Sequence, residues 1–180
     1  MFPPQPAGVS TEGTYGGLAW TVSPGGDRYR RGLYTYMKRT APYAMFSTFD
    51  APSGEACLAR RELSNTPLQA LTLLNDPVLV EASQSLGRIL AARLPNSTPP
   101  SGERLSENVQ FLFRKSLSRP ADRRELAAIA QFYQAQHDRL ATKEIDPVAV
   151  LGSADATVEQ AAWTIVARAV LNLDEAVTRN

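Results

Sequence analysis

The 180-residue sequence predicts a mainly α fold, a small helical bundle wrapped by an irregular N-terminal segment with at most a short β-hairpin. Three observations predict this fold. Glycine, proline and aromatic residues concentrate in residues 1–56, which disfavours helix there. Helix-start signatures recur beyond residue 64, and apolar residues then repeat at helical spacing. We expect a single domain, with residues 1–56 as the wrap and residues 57–180 as the helical part.

The N-terminal segment is expected to be irregular chain lying over helices. Residues 1–56 hold eight of the eleven glycines and six of the thirteen prolines, interleaved with aromatic residues. Two short apolar stretches, residues 18–22 and 33–37, flank the turn-forming sequence SPGGD. They predict at most one hairpin, which is marginal unless it packs against other elements.

A capping box marks the first long helix. In Thr66-Pro67-Leu68-Gln69, threonine is an N-cap residue, proline stands at the first helical position, and glutamine follows three residues after the cap. Asp76 and Pro77 repeat the cap-then-proline pattern. Thr66, Gln69 and Asp76 are therefore predicted helix caps, and the stretch is either two consecutive helices or one helix bent at the proline.

Apolar stripes predict the remaining helices. Pro95 and the sequence NSTPPSG after it end one helix, and Pro120 ends the next. Asp122 begins a third helix, and Thr157 begins the last. The stripes run through residues 79–90, 105–117, 126–140 and 158–173. We expect four or five helices in total.

Charge and cysteine content exclude several classes of function. The chain has 19 basic and 18 acidic side chains, a net charge of +1, which argues against a dedicated duplex-DNA-binding protein or a strongly membrane-attracted surface. A single cysteine excludes an internal disulfide and the C-x-x-C-H motif that attaches c-type haem. We expect no cofactor in this chain, no signal peptide and no membrane-spanning helix.

The chemically reactive side chains are few. His137 is the only histidine, and its polar neighbours in QAQHDR predict a solvated surface residue. Cys57 is expected to be a buried, inert thiol, because unpaired cysteine behaves as a small apolar residue. A nucleophile and base pair would require the fold to bring Cys57 to His137. The sequence assigns no catalytic residue and no metal ligand, and it favours a non-enzymatic protein.

Arg60 and Arg61 leave two interpretations open. On a helix one of them would share a face with Cys57, which would create a thiolate or an anion site. The favoured interpretation is that both guanidinium groups brace the fold by donating to Asp50, Asp76 or free carbonyl groups. Asn65 and Asn75 precede helix caps and are expected to satisfy turn backbone. Together the candidate residues form a predicted polar cluster for binding or structure: Asp50, Cys57, Arg60, Arg61, Asn65, Asn75 and Asp76.

Residues 27–39, DRYRRGLYTYMKR, combine five cations with three tyrosines. Single-stranded nucleic-acid platforms have this composition, and so do partly buried surface segments. The near-neutral total charge favours the second interpretation.

The sequence DRYRRGLYTYMKRTAPYAMFSTFDAPSGEACLARRELSNTPLQALTLLNDPVLVEAS, residues 27–83, resembles the signature block of a planctomycete-specific domain of unknown function. The similarity begins at FPPQPAGV and extends to the ending AWTIVARAVLNLDEAVTRN. Ser64 stands where the family frequently has threonine. The motif positions correspond here to Asp50, Cys57, Arg60, Arg61, Asn65, Thr66, Pro67, Gln69, Asn75 and Asp76.

The resemblance implies a context and no catalytic residue. Domains of this family form the C-terminal end of large cytochrome-c-like proteins that are generally exported, and this chain resembles the C-terminal portion of such a domain. The implied function is a non-catalytic accessory module whose partner is the upstream part of the same protein or a homologous chain. One alternative is an enzyme or small-ligand-binding domain using Asp50, Arg60, Arg61 and Asp76, and another is single-stranded nucleic-acid binding through residues 27–39.

Overall fold

The computed structural model describes residues 1–5, 20–37, 42–54, 56–60, 64–93 and 102–177. Two short 3-10 turns, Gly25–Tyr29 and Gly32–Tyr34, precede the helices. The helices are α1 Ala44–Thr48, α2 Pro67–Asn75, α3 Pro77–Ala92, α4 Gly102–Ser116, α5 Arg123–Ala141, α6 Pro147–Leu151, α7 Val158–Leu171 and α8 Asp174–Val177. Contacts group the chain into two compact units, Met1–Val78 and Leu79–Asn180. The predicted single domain with its wrap stays a prediction.

The mainly α fold is confirmed. The described residues contain eight helices, more than the four or five expected, and five of the eight contain nine residues or more. Pro67 begins α2 and Pro77 begins α3, so the stretch is two consecutive helices. Proline is favoured at a helix start because the first turn leaves its N–H groups unpaired in any case.

The described residues contain no strand, in agreement with the expectation of at most one short hairpin. Leu33 and Tyr34 belong to a 3-10 turn, and residues 18 and 19 lie outside the described residues. The extended chain that follows pairs with the N-terminus instead. The N–H of Tyr36 donates to the carbonyl of Met1 at 2.8 Å, and the amino group of Met1 donates to the carbonyl of Tyr34 at 2.9 Å.

The core of the second unit lies where α7 packs against its neighbours. The ring of Trp163 on α7 is fully buried and lies 4.5 Å from the ring of Tyr133 on α5. Phe113 and Leu112 of α4 and Leu151 of α6 join the same apolar cluster. Burial of these large side chains removes apolar surface from water and holds the four helices together.

Local capping fixes the starts of three helices in this unit. Thr157 and Gln160 form a capping box at α7, and Asp122 and Glu125 form one at α5. Asp146 accepts the N–H of Val148 and begins α6. The sequence stripes did not reveal α6, because five residues are too few to display helical periodicity.

Candidate functional site around helix α2

Helix α2 begins at a complete capping box. The Thr66 hydroxyl accepts the N–H of Gln69 at 3.3 Å, and the Gln69 side-chain oxygen accepts the N–H of Thr66 at 2.9 Å. Two unpaired donors of the first turn are thereby satisfied. The side chain of Gln69 is buried, so the cap also anchors the helix start inside the first unit.

The amide nitrogen of Gln69 continues this anchor into the preceding loop. It donates to the carbonyl of Thr48 at 2.9 Å, to the Ser64 hydroxyl at 3.0 Å and to the Asp50 carboxylate at 3.4 Å. Asp50 also accepts the N–H and the hydroxyl of Ser64, at 2.8 and 2.7 Å. We call Asp50, Ser64, Thr66 and Gln69 the α2 anchor. It joins the end of α1 to the start of α2.

The backbone of Asp50 has a positive φ of 55°. Aspartate and asparagine tolerate this left-handed conformation better than most residues with a side chain. The residue therefore has two tasks, turning the chain after α1 and accepting the bonds of the α2 anchor. Sequence reasoning selected Asp50 but noted Ser64 merely as a departure from threonine. A serine two residues before an N-cap carries no strong sequence signal.

Asp76 lies between α2 and α3 and is buried. Its carboxylate accepts the N–H of Val78 at 2.9 Å, which caps the start of α3. Burial and, to a lesser extent, the nearby charge of Asp76 raise the pKa of Tyr43 to about 12. Tyr43 therefore stays a neutral hydrogen-bond donor throughout the physiological range.

The other residues of the predicted polar cluster do not join the α2 anchor. Asn65 is exposed, and the side chain of Asn75 donates to the carbonyl of Leu71 on its own helix. Arg60 is exposed, and no hydrogen bond or ion pair joins its guanidinium to the described residues. The bracing role expected of Arg60 is therefore not seen. Arg61 lies outside the described residues, and its role stays a prediction.

Cys57 is exposed, so the expected buried thiol is wrong. The residues described between 52 and 60 are all exposed, and the segment has no regular secondary structure beyond bends. Unpaired cysteines are buried on average, but the average does not decide the exposure of Cys57. Its burial depends on whether a neighbouring element covers the segment.

His137 is buried, so the expected solvated histidine is also wrong. It follows Tyr133 by one helical turn and precedes Leu140 by three residues, on the face of α5 that meets α7. Its Nε2 lies 3.8 Å from the carboxylate of Glu159, too far for a hydrogen bond. The polar neighbours in the sequence occupy the other faces of the helix, which made this position look solvated.

Helix α2 presents an exposed apolar face on the side opposite its anchor. Leu68 and Leu71 are 60% and 58% exposed and lie three residues apart, so both point from one face. Leu58, in the preceding loop, is 57% exposed. Single exposed leucines are common, but two neighbouring leucines on one short helix form a small apolar surface. We call Leu68 and Leu71 the α2 leucine face.

Two of the five cations of residues 27–39, Arg28 and Arg30, contact side chains of their own segment. Arg30 pairs with Asp27 at 2.6 Å, and its guanidinium lies 5.8 Å from the ring centre of Tyr34. Arg28 lies 5.0 Å from the ring centre of Tyr29. Lys38 and Arg39 fall outside the described residues. Arginines that stack on the tyrosines cover ring surface that bases would need for stacking.

Two further findings concern the chemistry of the described residues. No group of three or more histidine, cysteine, aspartate or glutamate side chains is arranged there to hold a metal ion. Within the same ranges, none of the helices has the length and apolar character needed to cross a membrane.

One of three comparisons with known proteins finds a match, and it is a match to the sequence of the chain. No curated protein and no solved structure matches the chain. A sequence profile of the PSD1 family, described as "Protein of unknown function (DUF1553)", matches residues 1–133. The match includes the α2 anchor and the α2 leucine face, and it stops before the similarity noted over the last residues of the chain. The chain belongs to the PSD1 family of proteins of unknown function.

Proposed function

We propose that this domain is a non-catalytic docking module, which uses the α2 leucine face to bind the cytochrome-c-like part of a multidomain, exported protein. The observation that carries the proposal is the exposure of Leu68 and Leu71 on a helix that is rigidly held at its start. An apolar pair on an anchored helix can bind a complementary groove without first losing conformational entropy.

The hydrogen bonds around α2 support this proposal, because the carboxylates of Asp50 and Asp76 bond to groups of the domain itself. The Asp50 carboxylate accepts bonds from Ser64 and Gln69, and Asp76 caps α3. A ligand-binding site around these carboxylates would require their oxygen atoms to face a bound molecule. Their hydrogen bonds are directed at the backbone and side chains of the unit itself, which favours docking over ligand binding.

The family resemblance supplies the partner. The proteins that this chain resembles often carry a c-type cytochrome module upstream of the domain, whereas this chain has no haem-attachment motif. Electron transfer would therefore belong to the partner. The domain would contribute a binding surface, in the exported compartment where such proteins act.

The test measures binding of this chain to the haem-loaded c-type cytochrome region of a PSD1-family protein by calorimetry. Leu68→Glu and Leu71→Glu should each weaken binding by about tenfold or more, because a charge would be buried in an apolar contact. Ile89→Glu is the matched control, since Ile89 is also an exposed apolar helix residue, 46% exposed, but lies outside the α2 leucine face. The proposal would be refuted if the wild type, the two leucine variants and the Ile89→Glu control bound with equal affinity. It would also be refuted if the wild type did not bind.

A further inference from the structure

Arg93, directly after α3, is held in place by two residues of α4. Its Nε–H donates to the side-chain oxygen of Asn108 at 3.1 Å, and its guanidinium lies over the ring of Phe111, 4.2 Å from the ring centre. Asn108 is itself fixed, because it is 1% exposed and donates its amide N–H to the carbonyl of Leu90 at 2.9 Å. The fold therefore sets the orientation of the Arg93 guanidinium.

This arrangement leaves most of the hydrogen-bond donors of Arg93 available. The bond to Asn108 uses the N–H on Nε, and the N–H groups on the two Nη atoms remain. Arg93 is exposed, and no hydrogen bond or ion pair joins its Nη atoms to the described residues. An arginine normally loses side-chain freedom when it binds an anion, but the contacts with Asn108 and Phe111 already restrict this side chain.

Lys115 supplies a second cation beside the same ring. Its Nζ lies 5.7 Å from the ring centre of Phe111. Lys115 is exposed and pairs with no carboxylate of the described residues. Asn108, three residues before Phe111, and Lys115, four residues after it, project from the same flank of α4. Arg93 and Lys115 therefore lie beside one exposed region, and we call them the α4 cation pair.

We propose that the α4 cation pair is a binding site for a carboxylate group, presented by an acidic peptide segment of a partner protein. The edge of an oriented guanidinium matches the two oxygens of a carboxylate, and the lysine adds a compact positive charge. Both cations are exposed, so a protruding aspartate or glutamate side chain can reach them. The site is separate from the α2 leucine face and does not depend on the function proposed for it.

Glu107 favours a carboxylate over a phosphate as the ligand. It precedes Phe111 by one turn of α4, is exposed, and pairs with no cation of the described residues. A phosphate group carries close to two negative charges near neutral pH, whereas a carboxylate carries one. Glu107 therefore repels a phosphate more strongly than a carboxylate.

The test measures binding of the full chain to a fluorescently labelled hexaglutamate peptide, acetylated and amidated at its ends, by fluorescence anisotropy. An ionic strength of about 0.1 M screens exposed charges that lie more than about 10 Å from the peptide. Arg93→Gln should weaken binding by about tenfold or more, and Lys115→Gln by about threefold. A hexaglutamine peptide should not bind.

Arg114→Gln is the matched control. Arg114 is the exposed neighbour of Lys115 on α4, carries the same charge, and has no ring or ion-pair contact with the described residues. Its replacement should weaken binding by less than about twofold, because it projects from the opposite flank of Phe111. Equal losses for Arg93→Gln and Arg114→Gln would overturn the proposal, as would a wild type that does not bind hexaglutamate.

Arg93→Lys separates an oriented site from general attraction between opposite charges. Lysine keeps the charge but cannot form the bidentate contact, so binding should weaken by about fivefold. Equal affinity of the wild type and Arg93→Lys would overturn the proposal. Circular dichroism checks that each variant is folded, and Arg93→Lys with Lys115→Gln decides the matter if Arg93→Gln does not fold.

A phosphoserine peptide distinguishes the two kinds of anion. Three phosphoserines separated by glycines carry about the same total charge as six glutamates near neutral pH. This peptide should bind at least about threefold more weakly than hexaglutamate, because of the charge of Glu107. Tighter binding of the phosphoserine peptide would show that the site selects phosphate, and it would overturn the assignment to a carboxylate.

Discussion

Gly87 of α3 lies directly against Thr164 of α7. A β-carbon placed on Gly87 would lie 2.8 Å from the Thr164 backbone nitrogen and 2.9 Å from the carbonyl oxygen of Gln160, closer than van der Waals contact permits. The Thr164 hydroxyl, which donates to Gln160 at 2.7 Å, lies closer still. The absence of a side chain at residue 87 therefore sets how closely these two helices approach.

Gly87→Ala should destabilise the protein strongly. Replacing glycine by alanine within a helix normally stabilises a protein by up to about 1 kcal/mol. A loss of stability at residue 87 would therefore report the steric conflict. We expect a loss of about 2 to 4 kcal/mol in the free energy of unfolding by urea, since backbone atoms must move apart. Gly102→Ala is the matched control, because Gly102 is also helical but has open space around it. Equal stability of the two variants would contradict the close approach.

Removal of the hydroxyl group from two buried tyrosines should have different effects on the free energy of unfolding. The Tyr43 hydroxyl donates to Pro4, whereas the buried Tyr133 hydroxyl has no hydrogen-bond partner among the described residues. Tyr43→Phe should therefore cost about 0.5 to 1.5 kcal/mol of unfolding free energy. Tyr133→Phe should cost nothing or stabilise by up to about 1 kcal/mol, because it removes an unsatisfied polar group. Urea unfolding measures both, and a larger loss at Tyr133 would contradict the assignment.

Gln69→Ala should weaken the α2 anchor. The side chain is buried, completes the capping box and donates to the Thr48 carbonyl and the Ser64 hydroxyl. Its loss leaves several polar groups unpaired, and we expect a cost of about 2 to 4 kcal/mol in unfolding free energy. Gln134→Ala is the control, because its amide contacts Asp138 on the exposed surface of α5 and should change stability by less than about 0.5 kcal/mol. Similar losses for the two glutamines would argue against the anchor.

Arg119 links two carboxylates and makes stability depend on pH. It donates to Glu125 at 2.6 and 2.8 Å and to Glu175 at 2.6 Å. These hydrogen bonds lower the pKa of Glu125 from its ordinary value of 4.5 to about 2. A lowered pKa in the folded state stabilises the protein above the ordinary pKa, and this stabilisation is lost as the pH falls towards the folded value.

Glu125→Gln should therefore be less stable than the wild type near neutral pH, and the difference should shrink as the pH falls from about 4.5 to about 2. Glutamine can still accept the N–H of Asp122, so the helix cap is retained. Thermal unfolding of both proteins across this pH range provides the measurement. A difference in melting temperature that does not change with pH would show that the charge of Glu125 contributes nothing.

The sequence predicted the parts of the fold that local contacts decide. Thr66 with Gln69, and Asp122 as a helix start, were found because a cap and its partner lie within one turn of each other. The long helices were predicted because each has an apolar stripe with helical spacing. Asp50 was selected as an expected acceptor for Arg60 and Arg61 and again through the resemblance. Its observed contacts, with Ser64 and Gln69, join residues far apart in the chain.

By itself, the sequence determined where α2, α3, α5 and α7 begin, that helices dominate the fold, and that the chain resembles the PSD1 family. The tertiary structure alone decided that His137 is buried, that Cys57 is exposed and that residues 34–36 pair with Met1. The physical reason is the range of the interactions. A helix cap and an apolar stripe involve residues that are close together in the sequence. Burial and backbone pairing depend instead on contacts with parts of the chain that are far away in the sequence.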